Sequence, residues 1–303
     1  MKTPKFWNQK NITSTLLLPL SYIYGYITQY RLKRHTPYKS SCYVICVGNI
    51  TAGGVGKTPI SIALAKHYQK QDKKVFFLTR GYKGTLKNVL VDLEKHTPAQ
   101  TGDEARLLAK TAPTIISPDR KLGAQLAEKL GADIIIMDDG FQNPTLHKDE
   151  SILVFNGTIG IGNNRIIPAG PLREPLTTGL KRASSVIIMG EDKTNLKSLI
   201  NIPCYQGKLT PLPLELHNKN VSAFAGIGHP QKFYQTLKSC GYKVHKTTDF
   251  EDHHTYKQNE LDFLKHEAKE NNLLLITTQK DYVKIPPEQR DGIYCLKVVA
   301  TWE

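Results

Sequence analysis

Residues with chemical potential concentrate in Gly48-Asn-Ile-Thr51-Ala52-Gly53-Gly54-Val55-Gly56-Lys57-Thr58-Pro59. Small residues let a backbone bend until its N–H groups converge on phosphate oxygens. A lysine and a threonine at the end of such a loop complete a nucleotide-binding set. Lys57 can reach the β- and γ-phosphates, and Thr58 can hold Mg²⁺. Thr51 stands where the usual pattern has its first glycine. Gly53, Gly54 and the Gly56-Lys57-Thr58 ending remain, so residues 51–58 read as the cradle of a nucleotide.

Three further groups carry polar side chains at telling places. Ile134-Ile-Ile-Met137 ends in Asp138-Asp139-Gly140. Carboxylates at the carboxyl end of a buried strand suit a hard cation such as Mg²⁺. A strand-ending turn is the plain alternative, and the neighbouring phosphate loop favours the metal. Thr101-Gly102-Asp103-Glu104 has capping-box spacing before Ala105–Leu108. On the residues alone, Asp103 is then a first-turn carboxylate that complements the helix dipole. In Asp252-His253-His254, adjacent histidines are poorly placed to ligate one metal together. A proton-handling histidine and an ordinary surface loop remain equal readings there.

The elements that must position these groups alternate between strand and helix. Runs at Tyr43–Val47, Val75–Leu78, Val89–Val91, Thr114–Ile116, Ile134–Met137, Ile152–Phe155 and Val186–Met189 read as strands. Between them, 58–71, 104–110 and 121–130 read as helices. Such alternation predicts βαβ units and a mostly parallel α/β sheet. The proline-marked run 203–216 reads as an edge ribbon. Beyond it lies a second, smaller α/β series, with strands at 221–225, 244–247, 273–276 and 294–298 and helices at 231–239 and 259–270. The expected units are residues 1–35, 36–205 and 206–303, with a cleft between the two α/β parts.

Asn11 to Tyr30 contains no charged residue, and basic residues flank it on both sides. Thr13, Ser14, Thr15, Ser21, Thr28 and Gln29 dilute it, and Pro19 and Gly25 interrupt it, so it is a poor spanning segment. Leu16, Leu20, Ile23 and Ile27 share one helical face, and Tyr22, Tyr26 and Tyr30 another. An interfacial helix held on the membrane by its basic flanks is the reading adopted, against a helix that covers the protein's own core.

Composition bounds the rest. The 303 residues carry a formal net charge of +14, which calls for an anionic partner: nucleic acid, a phosphorylated substrate or an acidic membrane. No nucleic-acid-binding module is recognisable, so nucleic acid is not expected. Five scattered cysteines argue against a disulfide framework. Cys42 and Cys46 lie in a strand-like run without the other two ligands that zinc needs.

Taken in order, these stretches resemble the tetraacyldisaccharide 4′-kinases, the lipid A 4′-kinases of Gram-negative bacteria. The resemblance rests on VGNITAGGVGKTP, Arg80-Gly81-Tyr82, TGDEA, MDDGFQ, PAGPLREP, AGIGHP, DHH and TTQKDYVKI, spread over residues 44–285. It implies two α/β/α parts closing around ATP, with a basic apolar N-terminal helix. It also implies transfer of the γ-phosphoryl group to the 4′-hydroxyl of a tetraacylated disaccharide 1-phosphate. The place implied is the cytoplasmic face of the inner membrane. Carried onto this chain, Asp103 becomes the candidate base, supported by His253. Thr58, Asp138 and Asp139 become the metal site, with Glu174 a further candidate. A switch-type P-loop ATPase is the alternative, and Ala52 stands where those enzymes carry a signature lysine.

Overall fold

The computed structural model describes residues 4–216, 218–252 and 254–303. Strands β1 (Tyr43–Gly48), β2 (Val75–Thr79), β5 (Ile134–Asp138) and β6 (Glu150–Asn156) are rich in β-branched and aromatic residues. They are buried along nearly their whole length, as strands covered on both faces must be. With β3 (Val89–Leu90), β4 (Thr114–Ile116), β7 (Ser185–Met189) and β8 (Cys204–Leu212) they form the first part of one sheet. The second part holds β9 (Asn220–Ala225), β10 (Lys243–Asp249), β11 (Leu274–Thr278) and β12 (Ile293–Trp302). Among the described residues the order is β10-β9-β11-β12-β8-β7-β6-β1-β5-β2-β4-β3. All neighbours are parallel except β12 with β8 and β3 with β4.

Helices cover both faces. The first part has α3 (Lys57–Gln69), α4 (Pro98–Thr101), α5 (Asp103–Ala109), α6 (Arg120–Lys129) and α7 (Leu176–Leu180). The second has α8 (Pro230–Ser239), α9 (Gln258–Glu270) and α10 (Gln279–Tyr282). Ile45, Val47, Ile134 and Ile136 pack towards Ile60 and Leu64 of α3, while Cys46, Ile135, Met137 and Phe155 pack on the α6 side. Separate clusters around Phe233 and Leu264 fill the second part. The C-terminal strand is longer than its sequence pattern suggests. It pairs with β11 at its start and with β8 from Lys297 to Trp302, where Ala300 joins the α3-side core. Every cysteine is free.

The N-terminal segment departs most from expectation. Asn11 caps α1 (Ile12–Leu16) in a reciprocal box with Ser14, and α2 (Leu18–Arg34) begins with Pro19 in its first turn. Proline starts this helix rather than interrupting it, since its missing N–H is an orphan there anyway. Some of the residues that dilute or break the apolar pattern form its inner face, while Thr13 and Thr15 are exposed. Ser14, Ser21 and Gly25 are buried. The Ser21 hydroxyl donates to the Ile166 carbonyl at 2.7 Å and accepts from the Ala169 N–H at 3.0 Å. The apolar and tyrosine faces point outward, with Leu16 75%, Tyr22 73% and Tyr26 72% exposed. Among the described residues, no helix is long and apolar enough to cross a membrane.

Candidate active site

In the sheet order β1 lies between β5 and β6. Parallel sheets bind ligands in the crevice at such a reversal, outside the carboxyl ends of the strands. The loop after β1 runs from Asn49 to Gly56 and opens α3. Gly56 is the N-cap at φ 90°, a left-handed conformation that makes glycine the fitting residue there. Around Gly53 and Gly54 an added Cβ would meet nothing within 4 Å, so the cradle is open. Thr51 explains its own departure from the glycine pattern. It is 4% exposed and bridges Leu172 in antiparallel fashion, while the Ala52 N–H donates to the Pro171 carbonyl at 2.8 Å. That position needs extended backbone, which any residue supplies.

The two carboxylates after β5 have opposite environments. Asp138 is buried, accepting from the Thr58 hydroxyl at 3.0 Å and the Ser61 hydroxyl at 2.8 Å. Burial, reinforced by the charge of Glu104, pushes its carboxyl up to about 7 despite Lys57 and Ser61. Asp139 lies 3.5 Å from Lys57 and 3.3 Å from Arg173. Burial works against ionisation there too, but Lys57 and Arg173 outweigh it and hold the carboxyl below its ordinary range. Lys57 also donates to the Asn49 side-chain oxygen at 3.3 Å.

A second layer of polar contacts fixes these groups. The Gln142 amide donates to the Asn49 carbonyl at 2.9 Å and to Glu174 at 3.0 Å. Glu174 is fully buried, and its other oxygen takes an ion pair with Arg182. Both oxygens are thus engaged within the protein. Of the metal candidates, Thr58, Asp138 and Asp139 converge, while Glu174 meets them through Gln142.

Asp103 is the first residue of α5, and Gly102 is the N-cap at φ 79°. The capping box expected between Thr101 and Glu104 does not form. Thr97 and Gln100 make one instead, one turn earlier, and the Thr101 hydroxyl donates to the Thr97 carbonyl at 3.1 Å. A Cβ on Gly102 would collide with the Tyr82 carbonyl, so the Arg80-Gly81-Tyr82 turn is pressed against the start of α5. Its neighbours Thr85 and Leu86 donate backbone N–H groups to the Gln100 carbonyl. His253 lies outside the described residues. His254 stacks on Phe250 with centroids 4.7 Å apart and bonds Glu260 at 2.9 Å, a packing role beside the catalytic candidate.

Sequence reasoning missed Asn49, Ser61, Glu104, Gln142, Arg173 and Arg182. Ser61 could have been found, because three residues past Thr58 is the same helix face. The others are assembled only by tertiary packing. The donor set fits Mg²⁺, since a hydroxyl and a buried carboxylate with a raised pKa are what a hard cation would satisfy. Among the described residues no group of three or more His, Cys, Asp or Glu gathers for a tighter protein-only site. Magnesium bound with phosphates needs none.

Fold and loop together define a P-loop NTPase-type enzyme that handles phosphoryl groups. A family profile described as tetraacyldisaccharide-1-P 4′-kinase matches residues 13–303, and the chain belongs to that family. A tetraacyldisaccharide 4′-kinase of Paramagnetospirillum magneticum is 45% identical over 309 residues, covering 100% of this chain and 95% of the relative. One from Rhodospirillum rubrum is 40% identical, covering 97% and 91%. The crystal structure of LpxK from Aquifex aeolicus in complex with ATP superposes with a TM-score of 0.79 at 31% identity, covering 96% of each chain. The protein is an ATP-dependent kinase of lipid A biosynthesis, and a switch-type ATPase is not favoured.

Proposed function

We propose that the site transfers the γ-phosphoryl group of ATP to the 4′-hydroxyl of a tetraacylated disaccharide 1-phosphate at the cytoplasmic face of the inner membrane. The observation that carries this is the convergence of an open phosphate loop, Thr58 and Asp138 at one strand end. Residues 51–58 hold the phosphates, with Lys57 leaving Asp139 for the γ-phosphate. Thr58 and Asp138 would hold Mg²⁺, with Asp139 beside them and Glu174 acting through Gln142. When bound, the ion neutralises charge developing between the β- and γ-phosphates.

Asp103 takes the proton of the attacking hydroxyl. Its position in the first turn of α5, behind a Gly102 pressed on the Tyr82 carbonyl, supports this reading by fixing the backbone that carries it. His253 supports it from the second part as residues 36–205 and 206–303 close on the nucleotide. The outward apolar face of α2 and its last-turn Arg31, Lys33 and Arg34 support a site held at the bilayer surface, where such an acceptor resides. The test is labelled ATP with a tetraacyldisaccharide 1-phosphate. Asp103→Ala should lower transfer about 10²–10⁴-fold while ATP binding persists. Adding His253→Ala should cost little more, because the two act as a unit. Wild-type transfer by Asp103→Ala would remove the base assignment.

A further inference from the structure

A cavity of about 220 Å³ opens beside the C-terminal end of α2. Leu32 and His35 form one wall, and Phe141, His147, Lys148 and Arg182 form much of the rest. Of its two central cations, Arg182 has a carboxylate partner and Lys148 has none among the described residues. The Arg182 guanidinium stacks 4.3 Å above the Phe141 ring, donating from Nη1 to the Phe141 carbonyl at 3.2 Å and pairing through Nη2 with Glu174. Its Nε is buried with no hydrogen-bond partner. Lys148 Nζ donates to the Asn143 carbonyl at 2.6 Å, and among the described residues no carboxylate lies within ion-pair distance of it.

The nearby carboxylates are already committed. Glu174 serves Gln142 and Arg182, and Asp149 serves Lys39, His147 and the Val44 N–H. Burial holds the Lys148 ammonium below its usual range, and the charges of Arg182 and Arg120 add to that. Half-buried cations that repel one another, one of them without a carboxylate partner, are stabilised by an anion. The room suffices for a phosphate group, and the last turn of α2 adds Arg31, Lys33 and Arg34 near the Leu32 and His35 wall.

We propose that this cavity binds a phosphate monoester, recognised by Lys148 and Arg182 and covered by the end of α2. Recognition of the phosphate does not depend on the kinase reading. Only the source of the phosphate, a lipid head group presented at α2, rests on the membrane reading of that helix.

The experiment uses the full chain with its phosphate loop saturated by Mg²⁺ and a non-hydrolysable ATP analogue, so that only other sites report. Inorganic phosphate and glycerol 3-phosphate are titrated by calorimetry. In parallel, the protein is floated with phosphatidylcholine vesicles containing phosphatidic acid or phosphatidylserine. Lys148→Gln should weaken phosphate binding about tenfold, and Lys148→Arg should restore most of it. Leu32→Trp, which blocks the mouth without touching a polar group, should weaken binding similarly. A preference for phosphatidic acid that both variants abolish assigns a lipid head group. Phosphate binding without that preference assigns a soluble monoester. Unchanged affinity in Lys148→Gln, or no binding in either arm, overturns the site. Loss in Lys148→Gln with full binding by Leu32→Trp also overturns it, because the effect would then come from the Asn143 turn.

Discussion

Asp138→Asn should make the nucleotide-free protein more stable while removing its activity, and the gain should depend on pH. The Asp138 carboxyl has a folded-state pKa of about 7 against a reference value of 3.8. The folded state therefore binds the proton more tightly than the unfolded state. Stability from this group is fully present below the unfolded pKa and is lost as pH rises towards 7. At roughly 1.4 kcal/mol per unit, the loss is about 1.5 kcal/mol at pH 5 and about 4 kcal/mol at pH 8. Asparagine carries no charge, and the Thr58 and Ser61 hydroxyls can rotate to meet its amide. The variant should thus exceed wild type by about 1 kcal/mol at pH 5 and about 3 kcal/mol at pH 8, after allowing for imperfect hydrogen bonds. Urea midpoints measured without Mg²⁺ or nucleotide read this directly. Added Mg²⁺ and ATP should stabilise wild type far more than the variant, reversing the order. A variant that is equally destabilised at both pH values would show that Asp138 is ionised and satisfied by its neighbours. That result would refute the argument, including the claim that the carboxylate awaits a cation.

Other perturbations separate loop, base and helix. Lys57→Ala should cut phosphoryl transfer at least about 10²-fold with an unchanged urea midpoint, since the lysine grips phosphate and contributes little packing. Gly102→Ala should slow transfer while sparing ATP affinity by calorimetry, because a left-handed residue pressed on the Tyr82 carbonyl would shift Asp103. Gly25→Leu should undock α2 from Ile166, whose Cδ1 would lie 3.1 Å from the first added carbon, costing about 1–3 kcal/mol. Hydrogen exchange at residues 166–169 should then rise, while Ile23→Ser should leave exchange unchanged and weaken binding to anionic vesicles.

What was legible in the chain was what depends on local pattern. Ile134–Met137 is a buried strand, as its apolar run suggests, and Gly53 to Thr58 reads as a phosphate cradle from its residues. The capping reading of Thr101 and Glu104 failed because Gly102 intervenes with positive φ, and spacing alone does not report backbone hand. The N-terminal helix was located with its apolar and tyrosine faces outward, but the face that docks on the protein was not foreseen. Ser21 and Gly25 looked like breaks in an apolar stripe, yet they fit against the Ile166–Ala169 backbone, where only small residues approach closely. Glu104 and Arg173 were invisible as site residues, since each acts on a carboxylate brought near only by the sheet.

Adjacent carboxylates shifted in opposite directions show how the site is held. Asp139 already has its cations, and Asp138 does not. Lys57 is held between Asp139 and Asn49 at 3.5 and 3.3 Å. A phosphate entering that cradle competes with Asp139 for Lys57, and Arg173 remains to keep Asp139 ionised. Arg173 is fixed in turn by its backbone N–H, which donates to the Ile50 carbonyl at 2.7 Å inside the loop's own entry. The segment bearing Leu172, Arg173 and Glu174 therefore does two things at once. It bridges the loop after β1 through Thr51, and it sets the Arg173 charge beside Asp139. This ties the same segment to α2, because Ser21 bonds Ile166 and Ala169 just upstream. Helix α2 thus packs on the strap that shapes the loop after β1, so helix docking and loop geometry share one piece of backbone.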